Sequence, residues 1–269
     1  MLTLEDLKVA LAEQGDSAWV PAAEPIFPPI GGGTASHLFG LQISPADRAM
    51  LQPSDQASFA GAPLPPKVDW RSDGGGRVTK VKHQGDCGSC VAFATCAVME
   101  SAHMIGSGAV LDLSEAHLFY CNGGSCLAGW SFVPALEAAR MIGIGLQSDF
   151  PYVAHDVACV QIKPAVTLKS YRRALSRAER KRALVSGPVI GGMQVFSDFA
   201  FYKSGIYRHV SGDFEGNHAI AVVGYDDEDG CWICKNSWGQ DFGEDGYFRI
   251  AYGECELDDV NPFYAVELA

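Results

Sequence analysis

The chain has 269 residues, 48% of them hydrophobic and 19% charged, with a formal net charge of −12. That length suffices for one large domain or two modest lobes around a sizeable core. The composition is that of a soluble globular protein, no run approaches a membrane span, and the acidic balance argues against nucleic acid or an anionic membrane as a partner.

Near the start, Thr3 with Asp6 forms a capping-box pattern, and Leu4, Leu7 and Leu11 share one helical face, so a helix is expected to end near Gly15. Pro21, Pro25, Pro28 and Pro29, followed by Gly31-Gly32-Gly33, make an extended connector. Ser44-Pro45 reads as a cap and first helical position, opening a short helix to about Leu51, and residues 53–66 are linker-like. All nine cysteines lie at Cys87 or later, which sets the first part of the chain apart. Residues 1–63 are therefore read as a lightly packed N-terminal segment, either a loose tail or a pro-segment, and 64–269 as the folded domain. Met1-Leu-Thr-Leu-Glu-Asp lacks a basic n-region, and Glu5, Asp6 and Lys8 interrupt its apolar residues, so no signal peptide is expected and the cytoplasm follows by that criterion.

From Val68-Asp69-Trp70-Arg71 the texture becomes globular. Helices are expected at 91–105, from a start at 113–115 to 120, and at about 132–142, then strands at 166–172, 189–195, 218–225, 230–235 and 246–251, with a surface helix at 177–185. Helices first and strands second predict an α+β fold. It places a helical lobe at about 85–165 and an antiparallel, barrel-like β lobe at about 166–269.

The chemistry concentrates around Gln84-Gly85-Asp86-Cys87-Gly88-Ser89-Cys90. This polar, Gly-rich loop runs into an apolar helix for which Ser89 is a good N-cap. Cys90 then lies in the first turn, where the positive end of the helix favours a thiolate. Most cysteines beside an apolar run are buried structural residues. Of seven histidines, His218 differs in opening an apolar strand that turns at Asp226 to Gly230 and returns as Cys231 to Asn236. A hairpin centred on Asp227 would set His218 beside Asn236. A base whose tautomer is fixed by an amide is what an activated thiol requires, and the imidazolium would hold Cys90 as a thiolate near neutral pH. Gln84 could aim its side-chain N–H at the same space and, with the Cys90 backbone N–H, form an oxyanion hole.

These residues resemble a known family. Residues 84–94 are similar to the QGxCGSCWAFA signature of papain-like cysteine peptidases, Asn217-His218-Ala219 to their histidine motif, and Lys235-Asn236-Ser237-Trp238-Gly239 to KNSWG. Leu113-Ser114-Glu115, Phe150-Pro151-Tyr152, 201–207 and Phe263-Tyr264 agree in order, so the resemblance covers about 66–269. It implies the two-lobe papain-like fold with a cleft between the lobes. It also implies Cys90 as nucleophile, His218 as base, Asn236 as its orienter and Gln84 as oxyanion donor, with Trp238 shielding the His–Asn pair. Gly129 would pair with substrate backbone, with Trp130 on the subsite wall and Asn217 beside it. Val91 and Phe242 stand where the family has Trp, and the ERFNIN propeptide pattern is absent from 1–63. Asp258 and Asp259 are candidates for the floor of the second subsite.

The resemblance favours disulfides Cys87–Cys126 and Cys121–Cys159, which suit an exported protein rather than the cytoplasm. Cys255 lacks its usual family partner, and Cys231 and Cys234 are left free or with one paired to it. The implied protein is a monomeric endopeptidase with no cofactor and no metal, acting on peptides or proteins, whose own N-terminal segment occupies the cleft. Two other readings are a structural zinc site from Cys87-x-x-Cys90 and Cys231-x-x-Cys234, and an acyl transferase or silent peptide-binding module on the same fold.

Overall fold

The first helix, α1 (Leu4–Ala12), closes with the capping box the sequence predicts, Thr3 and Asp6 bonding each other's backbone N–H. In the computed structural model, residues 2–15, 18–27, 38–43, 63–258 and 261–269 are described. The short helix expected at 44–51, and Asp259, lie outside them. The described parts of the N-terminal segment are not lightly packed. Leu7, Leu11, Trp19 and Phe27 are buried in the core of the β lobe, and Leu41 in that of the helical lobe. Strand β1 (Val20–Pro21) pairs with β5 (Tyr202–Ser204), and the Trp19 indole donates to the Arg208 carbonyl at 2.9 Å. Leu7, Leu11, Trp19 and Phe27 thus pack into the β lobe, while Val9 and Val20 stay exposed.

Strand β2 (Lys67–Asp69) leads into α2 (Cys90–Ser107), which ends at Gly108 in the left-handed conformation that glycine adopts without strain. By length and composition α2 could cross a membrane, contrary to the expectation from sequence. Instead 67% of it is buried within the molecule, which accounts for its apolarity. Ser89 stands at the N-cap but makes no cap bond; its hydroxyl lies 2.7 Å from that of Tyr152. Helices α3 (Glu115–Tyr120), capped by Ser114, and α4 (Phe132–Met141) complete the helical lobe. Cys87–Cys126 and Cys121–Cys159 are disulfide-bonded, each tying a loop of this lobe. Because Cys87 is spent in a disulfide, it cannot serve the four-cysteine zinc site. Cys231, Cys234 and Cys255 are free and buried, so neither strand cysteine is bonded to Cys255.

The β lobe adds β3 (Leu168–Ala174), α5 (Arg177–Ser186), β4 (Val189–Phe196), β6 (Ile206–Tyr207), β7 (Phe214–Asp226), β8 (Cys231–Lys235), β9 (Tyr247–Ala251) and β10 (Phe263–Leu268). Among the described residues these form an eight-stranded sheet in the order β3-β10-β4-β7-β8-β9-β6, with β2 against β7. Among the described strands of this sheet, β6 and β9 alone pair in parallel. Phe242 fills its site with aromatic contacts to Trp238, Phe199 and Phe248, and Val91 is fully buried, so neither departure from Trp leaves the core open.

Candidate active site

Cys90 begins α2, the helix at the centre of one lobe, and His218 and Asn236 come from β7 and the end of β8 in the other. The hairpin register differs from the expected one. Asp226 pairs with Cys231 and Ala221 with Lys235, with a bulge between Val222 and Gly224. The hairpin is thus centred beyond Asp227, and His218 and Asn236 are not directly cross-strand. They meet diagonally, with His218 Nε2 2.8 Å from Asn236 Oδ1. The same Oδ1 accepts the Ser237 N–H at 2.8 Å, which fixes the amide so that its oxygen faces the ring. Trp238 covers this pair, its ring centre 4.7 Å from that of His218.

Across the site runs the N-terminal segment. Trp130 N–H donates to the Gly40 carbonyl at 2.7 Å, Gln42 N–H to the Trp130 carbonyl at 2.9 Å, and Leu41 N–H to the Asn217 carbonyl at 3.1 Å. Leu41 and Trp130 form a parallel bridge. Gly129 does not supply this pairing, because its N–H is already held by the Ser125 carbonyl at 2.7 Å. Its role is space: a Cβ there would meet the Gly40 carbonyl oxygen at 2.0 Å. Leu41 is buried against Gly192, where a Cβ would meet its Cδ2 at 2.6 Å. Phe39 stands edge-on to both His218 and Trp238, and Phe27 to Phe39 and Trp238, making an aromatic plug.

Gln84 donates from Nε2 to the Leu38 carbonyl at 3.1 Å and to the Cys87 carbonyl at 2.8 Å, while its Oε1 accepts from Ser237 Oγ at 2.6 Å. The donor reaching into the cleft therefore already holds a peptide carbonyl. Gly40 contributes a backbone contact to the Cys90 sulfur, as does Ala219, the residue after His218.

Both chemical groups are fully buried, with electrostatic consequences. Burial pushes the Cys90 thiol up to about 11, against the backbone contacts that favour the thiolate. Burial likewise lowers His218 to about 4, opposed by Asn236 and by the Leu38 carbonyl. Burial in this covered form thus works against the near-neutral thiolate expected from sequence, favouring a protonated thiol and a neutral ring.

Asp258 does not face the cleft. Its fully buried carboxylate takes Arg177 Nε at 3.0 Å and Gly253 N–H at 2.7 Å. The residues that sequence reasoning missed are Leu38, Phe39, Gly40 and Leu41. The available signal was an apolar island interrupted by one glycine between two Gly/Pro-rich connectors.

A thiol at a helix start in one lobe, and an amide-held imidazole on a hairpin of the other, define a thiol hydrolase covered by its own N-terminal segment. The model of the papain family cysteine proteases matches residues 64–264. Zingipain-2 from Zingiber officinale is 38% identical over 196 residues, covering 69% of this chain and 87% of that protein. Pro-cathepsin H from Mus musculus is 35% identical over 211 residues, covering 71% of this chain and 62% of that protein. The chain belongs to the papain family of cysteine proteases. It spans about half the length of some relatives, such as the cysteine endopeptidase RepA of Oryza sativa, of which 53% is covered. Among solved structures, procathepsin B S9 from Trypanosoma congolense superimposes with a TM-score of 0.84 at 25% identity, covering 100% of this chain and 99% of that one. Bromelain from Ananas comosus in complex with the E64 inhibitor gives 0.68 at 29% identity, covering 77% of this chain and 100% of that one.

Proposed function

We propose that the chain is the latent form of an endopeptidase in which Cys90 is the nucleophile, His218 the general base and acid, Asn236 its orienter and Gln84 an oxyanion donor. With the N-terminal segment displaced, water and substrate reach the site and the burial that holds the thiol and the ring neutral is relieved. The thiol proton passes to His218, and the sulfur adds to the substrate carbonyl carbon. The developing oxyanion rests on Gln84 Nε2 and the Cys90 backbone N–H. Collapse breaks the C–N bond as His218 returns its proton to the leaving amine. Water then attacks the thioester, giving a proton to His218, and hydrolysis restores the thiol and frees the acid product.

What supports this reading most is the Leu38 carbonyl held by Gln84 Nε2 while Gly40 contacts the Cys90 sulfur. A peptide chain already lies across the candidate nucleophile and donor, in the arrangement expected of an intramolecular inhibitor. Its pairing with Trp130 is parallel.

End-blocked peptides with an internal fluorogenic bond test the endopeptidase assignment. The enzyme matured from the full chain is expected to cleave them, with no requirement for a free terminus. Cleavage confined to peptides with a free end would replace it with an exopeptidase. Transfer of the acyl group to an added amine in preference to water would make the protein a transferase.

A further inference from the structure

Next to Asn236 lies a largely buried cluster of charges that the mechanism does not use. Lys82 Nζ is 2.7 Å from Glu115 Oε1, 3.0 Å from Glu100 Oε1 and 2.7 Å from Asp112 Oδ1, and it donates to the Leu113 carbonyl at 3.0 Å. Thr79 donates to Glu100 and accepts from Lys235 Nζ at 3.1 Å. Lys235 immediately precedes Asn236, so the cluster and the amide that orients the imidazole share the end of one strand.

Between them is a cavity of about 20 Å³, lined by both Glu115 and Asn236 together with Lys82, Glu100, Lys235 and Ser237. Two of its lining residues each carry a buried polar atom without a hydrogen-bond partner among the described residues: Glu115 Oε2 and Asn236 Nδ2. The two residues are 1% and 3% exposed, so bulk water does not satisfy them. One is an acceptor and the other a donor, and leaving either unsatisfied costs on the order of 1–3 kcal/mol. A cavity holds a water once it offers roughly 10–15 Å³ and two or more polar partners. This one has room for a single molecule.

We infer that one structural water in this cavity accepts from Asn236 Nδ2 and donates to Glu115 Oε2, making Glu115 a positioning residue for the catalytic imidazole. Asn236 is then held at both ends. Its oxygen is fixed by the Ser237 N–H and faces His218 Nε2, and its nitrogen is anchored through water to a carboxylate whose other oxygen is pinned by Lys82. Rotation of the amide, which would present Nδ2 to the ring and select the wrong tautomer, is opposed from the cavity side. The inference rests on the catalytic reading above.

The test has two arms. A crystal structure of the full-length chain at a resolution that shows ordered water is expected to place one molecule within hydrogen-bonding distance of both Glu115 Oε2 and Asn236 Nδ2. A cavity without density, or a water touching only one of them, overturns the bridge. In the kinetic arm, parent, Glu115→Leu, Glu115→Gln, Asn236→Ala and Glu115→Leu/Asn236→Ala chains are expressed full length and matured in trans by a trace of parent enzyme. Glu115→Leu is expected to lower kcat about 10-fold with KM within about twofold, Glu115→Gln to restore most of it, and the loss to shrink below about twofold in the Asn236→Ala background. The same fold-loss in both backgrounds, or unchanged kcat in Glu115→Leu, overturns positioning through Asn236. If Glu115→Leu does not fold, the crystallographic arm decides alone. An inactive parent would instead count against the peptidase reading, so the two failures are distinguishable.

Discussion

Gly40→Ala is the sharpest perturbation of the covered state. A Cβ at this position would lie 1.9 Å from the Gly88 carbonyl oxygen and 2.4 Å from the Gly88 Cα, and the Gly40 carbonyl already closes against Gly129 on the other side. Both obstacles are backbone in the loop that carries Cys90, so the segment must move rather than its surroundings. Five hydrogen bonds hold it there: Gln84 to Leu38, Trp130 to Gly40, Leu41 to Asn217, Gln42 N–H to Trp130 and the Gln42 side-chain amide to the Ala128 carbonyl. At about 1 kcal/mol each, losing two or three of them shifts the balance between covered and open forms by about 2–3 kcal/mol. That is roughly a 30- to 150-fold larger open fraction. The assay is initial-rate hydrolysis of a short fluorogenic peptide by the intact full-length chain, with mass spectrometry confirming that the segment is still attached. Activity of Gly40→Ala within about twofold of the latent parent would refute the reasoning, because the close approach at Gly88 would then not be what seats the segment.

Two other outcomes are expected. Replacing Gln84 with Ala in the matured enzyme should lower kcat on the order of 100-fold, the usual cost of one oxyanion donor, with a smaller change in KM; steady-state kinetics check this, and an equal loss carried entirely by KM would contradict the role. The pH dependence of latency follows from the two buried groups. His218 sits at about 4 when covered, below an ordinary imidazole near 6.5, so protonation favours the open form and the covered state loses stability as pH falls from about 6.5 to about 4. Cys90 sits at about 11, above an ordinary thiol near 9, so ionisation favours the open form and stability falls again as pH rises from about 9 to 11. Latency should be greatest between about 6.5 and 9, measured as the rate of Cys90 alkylation in the full chain. A rate that falls steadily with acidification through pH 6.5 to 4, after correction for the reagent's own dependence, would contradict the His218 assignment.

Much of the site was legible in the sequence because local rules carry it. A Gly-rich loop entering an apolar helix marks Cys90, and two apolar strands joined by acidic residues and Gly230 mark the hairpin that brings His218 to Asn236. The register was not legible, since the bulge near Val223 depends on how β7 is held by β2 and β4 on one side and β8 on the other. Ser89 was read as a capping hydroxyl, but a long-range partner, Tyr152, competes for it. The N-terminal segment was least legible. Its Leu38-Phe39-Gly40-Leu41 stretch has no secondary-structure period of its own and is held by partners far along the chain, Gln84, Trp130 and Asn217. Asp258 failed as a subsite candidate for a similar reason, its partner Arg177 lying on a different element.

The central claim is that one of five free cysteines, all buried in the covered form, does the chemistry. Labelling the matured enzyme with an epoxide inhibitor of the E64 type and mapping the adduct by mass spectrometry tests it most directly. One adduct per chain, on the peptide carrying Cys90, with complete loss of hydrolysis and no labelling or turnover in Cys90→Ser, is the expected result. An adduct on Cys96, Cys231, Cys234 or Cys255 that tracks inactivation, or turnover retained in Cys90→Ser, would contradict it.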